Sequence, residues 1–319
     1  MMKATKKWLI AASALIVFGL LLFALTMCFA GWNFKKLETE KYVTATHEIT
    51  EAFENIRIRS DIADITFLPA KDGNCRVVCN EREGEGYAVS VTDGTLNISA
   101  PRERKWHIGV AFDSDRITVY LPGTEYASLA IENETGDITI PGGFRFADMN
   151  LSVSTGDVRS EAEAGDVRIA SSTGRICVEN AAVGSLNLTT STGKVTVKNL
   201  TCADDLKVGV SVGKIDLTDV TCKNMVSRGS TGDVSLCNVV VSETLSVVRS
   251  TGDITFRDCD AFEVYARAST GNIEGNFLTD KTFLAKSDTG SIDVPKTATG
   301  GKCGPKERMR RTAAVRFGD

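Results

Sequence analysis

Histidine is almost missing from this 319-residue chain, where His47 and His107 are the only two. Most of the sequence therefore lacks the commonest general base, the usual triad member and the favoured zinc ligand. A surplus of one charge is lacking as well: 37 Lys and Arg stand against 41 Asp and Glu, without the basic excess that nucleic-acid binding needs. Proline occurs six times and never between Gly142 and Val294. So long an interval without proline suits a backbone whose N–H groups are nearly all engaged in strand ladders. No stretch of that interval spaces its apolar residues as a helix would, which excludes a horseshoe backed by helices. What is present is globular in character, with 42% hydrophobic and 24% charged residues and a length that suits about two domains.

Charge is absent altogether from Trp8 to Phe34, and Leu9 to Ala30 is apolar apart from Ser13, Thr26 and small residues. Such a run spans the ~30 Å hydrocarbon core as a helix. Trp8 and Trp32 bracket it about 36 Å apart, as an aromatic belt does. Lys3, Lys6 and Lys7 precede it, so the expected topology keeps a short N-terminus in the cytoplasm and everything after Trp32 outside, with the bilayer contacted by residues 8–32. The run is longer than the core of a cleaved signal peptide and lacks an Ala-x-Ala exit. A lipoprotein anchor at Cys28 is disfavoured because Thr26 and Met27 are not the small residues such processing prefers. With the three lysines set apart, 34 basic residues face 41 acidic ones, a net −7 that favours solubility over adhesion to anionic polymers.

The remainder is repetitive. Gly136, Gly156, Gly174, Gly193, Gly213, Gly232, Gly252, Gly271 and Gly290 recur every 18 to 20 residues, and Thr precedes each of them except Gly213, which follows Val212. Nine copies at this period indicate a solenoid. Apolar residues stand two and four after the glycine, as in Val195 and Val197 or Ile254 and Phe256, and alternate again before it, as in Leu206, Val208 and Val210. A period of two is that of a strand. A further apolar residue seven after the glycine, at Leu200, Val220, Val239 and Leu278, suggests a short third inward-facing element. The expectation is an all-β, parallel β-solenoid of about nine coils, each position stacked ~4.8 Å from its equivalent. The glycines are expected to be turn residues at positive φ.

Residues 48–122 alternate without the Thr-Gly marker, with Asp93-Gly94 as a hairpin turn, and are expected to form an irregular β cap. The division that follows is 1–34 cytoplasmic N-terminus and anchor, 35–122 linker and cap, 123–294 solenoid, and 295–319 basic tail.

An N-terminal anchor, a strand closing as Ile-Thr-Val-Tyr-Leu-Pro at 117–122 and the serial Ser-Thr-Gly-Asp-Val/Ile motif together resemble a bacterial family of β-strand-repeat proteins known as candidate adhesins, a domain of unknown function. The likeness runs from Ile49 to Val294. It implies a parallel β-solenoid displayed on the cell envelope, with some relatives linked to envelope-stress signalling and no catalytic residue set. The chain departs from the family's pattern after Gly300, Gly301, Lys302 and Cys303, where another repeat is expected and Gly-Pro-Lys-Glu-Arg-Met-Arg-Arg follows. Either a tail replaces the last coil or the reading frame changes there.

Three sets of residues are candidates for chemistry. The residues after the glycines, Asp137, Asp157, Arg175, Lys194, Lys214, Asp233, Asp253, Asn272 and Ser291, line one edge and could hold Ca²⁺ or a glycan. The Gly-Gly-x-Gly-x-Asp nonapeptide of Ca²⁺-binding β-rolls is absent, and solvated turn carboxylates that accept backbone hydrogen bonds are the simpler reading. Asp216, Glu274 and Asp293, each three after a glycine, share an outward line as a glycan-cleaving enzyme would require. Yet Asp216 and Glu274 stand three coils apart, ~14 Å, outside the span of a glycosidase pair. Among nine cysteines, Cys75 and Cys79 are ~13 Å apart on one strand, too far to bridge. Cys202 and Cys222 both lie nine after their glycine, and stacking in neighbouring coils brings their side chains together, oxidised or not. No metal or cofactor is expected. The functional expectation is non-catalytic binding or scaffolding at a bacterial surface, toward envelope polymers or membrane signalling proteins and without nucleic acid. A sensor of envelope stress and a glycan-cleaving enzyme are the alternatives.

Overall fold

The computed structural model describes residues 2–32, 41–101, 114–123, 125–279 and 282–294. His107, Cys303 and the basic tail lie outside them. Helix α1 (Met2–Ala30) contains one segment, Trp8–Phe29, long and apolar enough to cross a bilayer. All other described elements are strands, and by their contacts the chain separates into two units.

The first unit, Met1–Thr124 with Ile131–Ile138, mixes parallel and antiparallel pairing. Its strands are β1 (Tyr42–Ile49), β2 (Asn55–Ile62), β3 (Asp64–Pro69), β4 (Cys75–Arg82), β5 (Ala88–Thr92), β6 (Thr95–Ser99) and β7 (Arg116–Leu121). Strand β2 pairs in parallel with β6, and β3 with β7. Strand β4 runs antiparallel to both β7 and β1. Asp93 and Gly94, at φ 50° and 67°, close the β5–β6 hairpin in the left-handed backbone that such a two-residue turn demands. The break between β2 and β3 at Ala63 also pairs with the first Thr-Gly marker: Ala63 N donates to Thr135 O, and Ile65 N to Asp137 O. Residues 60–67 thus form a row of the repeat kind without its glycine.

The second unit, Glu125–Ala130 with Thr139–Asp319, is over its described residues a parallel β-solenoid. Every strand in residues 145–293 pairs in parallel with a strand one coil away, as Leu188 does with Val208 and Val195 with Ile215. Alternation turns one side of each strand inward, and the residues two after the glycines, from Val158 to Ile273, make a fully buried column. Ile292 ends that column and is 45% exposed. One inward expectation fails at the same end: Leu278, seven after Gly271, is 58% exposed, whereas Leu200, Val220 and Val239 are buried. The register of its strand shifts between Phe256 and Cys259, which turns Leu278 out of the column. Phe277 and Phe283 pack on Phe256 there, at ring separations of 5.1 and 5.9 Å.

Candidate functional site

Each coil turns first at its glycine. Gly193 sits at φ 157° and Gly213 at 147°; a Cβ on either would lie 1.8 or 1.7 Å from the carbonyl oxygen of the glycine one coil back. Both the backbone angle and the close approach of the neighbouring backbone exclude a side chain. The ladder runs through the turn without a gap, Gly174 N donating to Thr192 O and Gly193 N to Val212 O.

A second corner lies six residues after the glycine, at Asn180, Asn199, Asp219, Asn238 and Asp258, all with φ between 49° and 55°. Asn and Asp enter this left-handed region most readily after glycine. Their side chains also bond along the axis: Asn199 Nδ2 donates to Asn180 Oδ1 at 2.9 Å, and Asn238 Nδ2 to Asp219 Oδ1 at 2.6 Å. The signal was available in the sequence as five consecutive Asn or Asp at one repeat position, but a search keyed to apolar alternation passes over it.

The residues after the glycines are joined from coil to coil. Asp233 Oδ1 accepts from Asp253 N, Asp253 Oδ1 from Asn272 N and Asn272 Oδ1 from Ser291 N, at 2.7 to 3.2 Å. Asp157 accepts from Arg175 N at 2.8 Å and pairs with its guanidinium at 2.7 Å. Burial pushes the Asp157 carboxyl up, but the hydrogen bonds and charge of Arg175 outweigh it and hold the carboxyl below the ordinary carboxylate range. The hydrogen bond from Lys214, together with that from Asp253 N, does the same for Asp233. No group of three or more metal-ligating side chains exists among the described residues.

Asp216 is neutralised by Lys194 Nζ at 2.6 Å. Glu274 stands opposite Asp293 in the register, and neither lines a cavity described below. Cys202 stands opposite Val183 and Cys222 opposite Val241, with Thr201 facing Thr221 between the two strands. Both thiols are buried and free, as are Cys75 and Cys79. Burial, aided by the Cys202 charge, pushes the Cys222 thiol up to about 12.

Arg249 is an inward-facing arginine, 1% exposed, three residues before Gly252. Its guanidinium occupies the space that a side chain at Gly229 would fill: a Cβ there would lie 2.2 Å from Arg249 Nη1. Ser227 Oγ accepts from Nη2 at 3.3 Å. No carboxylate pairs with this group among the described residues, and burial lowers its pKa to about 10.

The outer side of the strands that lead into the glycines carries both described cavities. One, of about 430 Å³, lies among Asp148, Asn150, Asp166, Arg168, Asn187 and Lys207. The other, of about 480 Å³, lies further along the same strands among Ser152, Ser154, Ser172, Thr189, Gly209 and Ser211. The side chains of Asp148, Asn150, Arg168, Asn187 and Thr189 have no hydrogen-bond or ion-pair partner among the described residues, unlike the side chains of the two corners.

The sequence profile of the Toastrack DUF4097 family matches residues 53–298. The chain belongs to this family. The Toastrack match covers the Thr-Gly series and residues of the first unit alike. No curated protein matches the chain. Among solved structures, a protein of Bacteroides fragilis NCTC 9343 described as a candidate adhesin is 18% identical, covering 80% of this chain and 97% of its own at a TM-score of 0.44. A second candidate adhesin, from Parabacteroides merdae ATCC 43184, is 12% identical with a TM-score of 0.47 and coverages of 81% and 98%. A protein of Parabacteroides distasonis ATCC 8503 described as a candidate lipid-binding protein is 16% identical, again at 0.47, with coverages of 79% and 97%. At these identities and scores the likeness says nothing of ligand or activity.

Proposed function

We propose that this Toastrack chain is a non-catalytic binding or scaffolding protein held on the outer side of a bacterial membrane. The observation that carries the reading is the outer face of residues 148–211, where polar side chains surround two cavities and those of Asp148, Asn150, Arg168, Asn187 and Thr189 lack partners among the described residues. Corner residues of the same types use their hydrogen-bonding capacity on one another, whereas these residues of the outer face keep theirs. The lysines before Trp8 and the apolar length of Trp8–Phe29 support a single-pass anchor with the strands outside. On this reading residues 1–34 anchor, 35–122 link and cap, 123–294 present the binding face and 295–319 form a tail. Protease added to intact cells removes the strands and leaves the helix in the membrane, and isolated envelope material retains the full chain. A protease-resistant chain, or one that envelope material does not retain, overturns the reading.

The nine glycines and the two cysteines belong to the framework of the proposal. Positive φ at the glycines supports a turn role. Adjacent register and burial support contact between the Cys202 and Cys222 side chains as core thiols. Oxidation of the purified chain followed by peptide mapping joins these two to each other; pairing with other cysteines in a folded chain refutes the contact.

A further inference from the structure

We propose that the face bearing the two cavities binds an uncharged, hydroxyl-rich polymer, a neutral polysaccharide, laid across several coils. The proposal rests on the surface-binding reading above and names its ligand class. Charge decides first. Asp148, Asp166 and Asp205 stand against Arg168, Lys207 and Arg228 around the two cavities, and Lys207 is already paired with Asp205 at 3.3 Å. A balanced face offers no net field to a polyanion or a polycation. Apolar content decides next. Among the outward side chains that line the two cavities none is apolar and larger than Ala170, so the aromatic or aliphatic anchor on which protein interfaces depend is missing there. What remains is amide and hydroxyl chemistry from Asn150, Asn187, Thr189 and the serines at 152, 172 and 191, repeated on strands ~4.8 Å apart. Such groups exchange hydrogen bonds with sugar hydroxyls. Without an aromatic platform each row binds weakly, and affinity accumulates only when one polymer engages several rows.

The test uses the full chain in detergent micelles and affinity electrophoresis through gels containing dextran, mannan or xylan, with polygalacturonate as the acidic comparison and free glucose as competitor. At least one neutral polymer retards the chain, polygalacturonate does not, and glucose fails to compete. Asn187→Ala combined with Thr189→Ala weakens the retardation about ten-fold, equivalent to roughly 1.4 kcal/mol. Gly209→Tyr does the same by filling the second cavity. A Cβ at this glycine meets Thr189 Cγ2 at 3.5 Å, an ordinary contact, so the substitution enters without backbone strain. Thr196→Ala, on the strand after the glycine, leaves binding unchanged. Equal retardation of wild type and both face variants overturns the site. Envelope material that retains the chain while no neutral polymer does overturns the ligand class and leaves surface binding standing. Failure of both overturns the two readings together.

Discussion

In residues 145–293 a polar side chain meets its own counterpart one coil away, Asn180 with Asn199 and Asp233 with Asp253 N. In the sheet of residues 42–121 polar groups instead meet unlike partners at irregular separations, from 6 to 28 residues. Tyr87 Oη reaches Ser60 Oγ at 2.9 Å, and Ile62 O and Asp115 Oδ2 at 3.2 Å, while Tyr87 N donates to Glu81 Oε2 at 2.7 Å. The repeat spreads its polar satisfaction over many equivalent contacts, each replaceable. The first unit concentrates it at one buried node, where every partner is singular. Damage should therefore be graded in the repeats and abrupt in the node, except where a repeat position touches the backbone itself.

The largest effect is expected at such a position. Gly193→Val places a branched side chain at φ 157° against the Gly174 carbonyl, and at least about 3 kcal/mol of stability is lost. Ala63→Gly, at the marker-free row of the first unit, costs no more than about 1 kcal/mol. Chemical denaturation of the two variants compares them directly, and equal losses would erase the distinction.

Arg249 breaks the repeat's rule from within, since it is buried and charged without a counterion among the described residues. Arg249→Met removes that charge at similar volume and raises stability by roughly 1 to 3 kcal/mol. A lower midpoint would mean that the guanidinium is compensated more fully than Ser227 and Val248 O allow.

Tyr87→Phe should cost about 1 to 2 kcal/mol, because it strips a hydroxyl from the buried Ser60 and Asp115 at once. Asn199→Ala should cost about 1 kcal/mol through the left-handed corner, and Asn199→Gly most of a kilocalorie less. If calorimetry ranks Asn199→Ala above Tyr87→Phe, the repeat is the less tolerant region and the comparison is reversed.

The smallest effect concerns acid. Asp157, Asp205 and Asp233 are held below the ordinary carboxylate range by their hydrogen-bond partners, outweighing any cost of burial. Their folded pKa values lie under the unfolded value of about 3.9, so the stability they contribute is complete above that pH and is lost as pH falls through the folded values. Asp157→Asn makes the melting temperature of the chain less sensitive to acid over that window. An unchanged acid slope would show that the Arg175 pair adds nothing to the fold.

The solenoid was legible because its ladder is a relation between a residue and the one 18 to 20 later. The Thr-Gly period states that relation in the chain itself, and alternation about Leu206, Val208 and Val210 says which side is buried. The glycine turn could be anticipated for the same reason, whereas the Asn and Asp corner holds in only five of the nine copies and lies outside the apolar alternation. The row at Ala63 carries no glycine, and only the hydrogen bonds to Thr135 and Asp137, more than seventy residues on, reveal it. The candidate face was half legible. Outward Ser, Thr and Asn can be counted in the sequence, but which are bonded to a neighbour and which are free follows from side-chain contacts between coils. Period and alternation are local quantities, so the sequence by itself determined parallel stacking, strand class and the buried columns. The pairing order of β2 with β6 and β3 with β7, the Tyr87 node, and the room Gly229 leaves for Arg249 were decided by tertiary structure alone. Each depends on unlike residues meeting once, and a single meeting leaves no period to read.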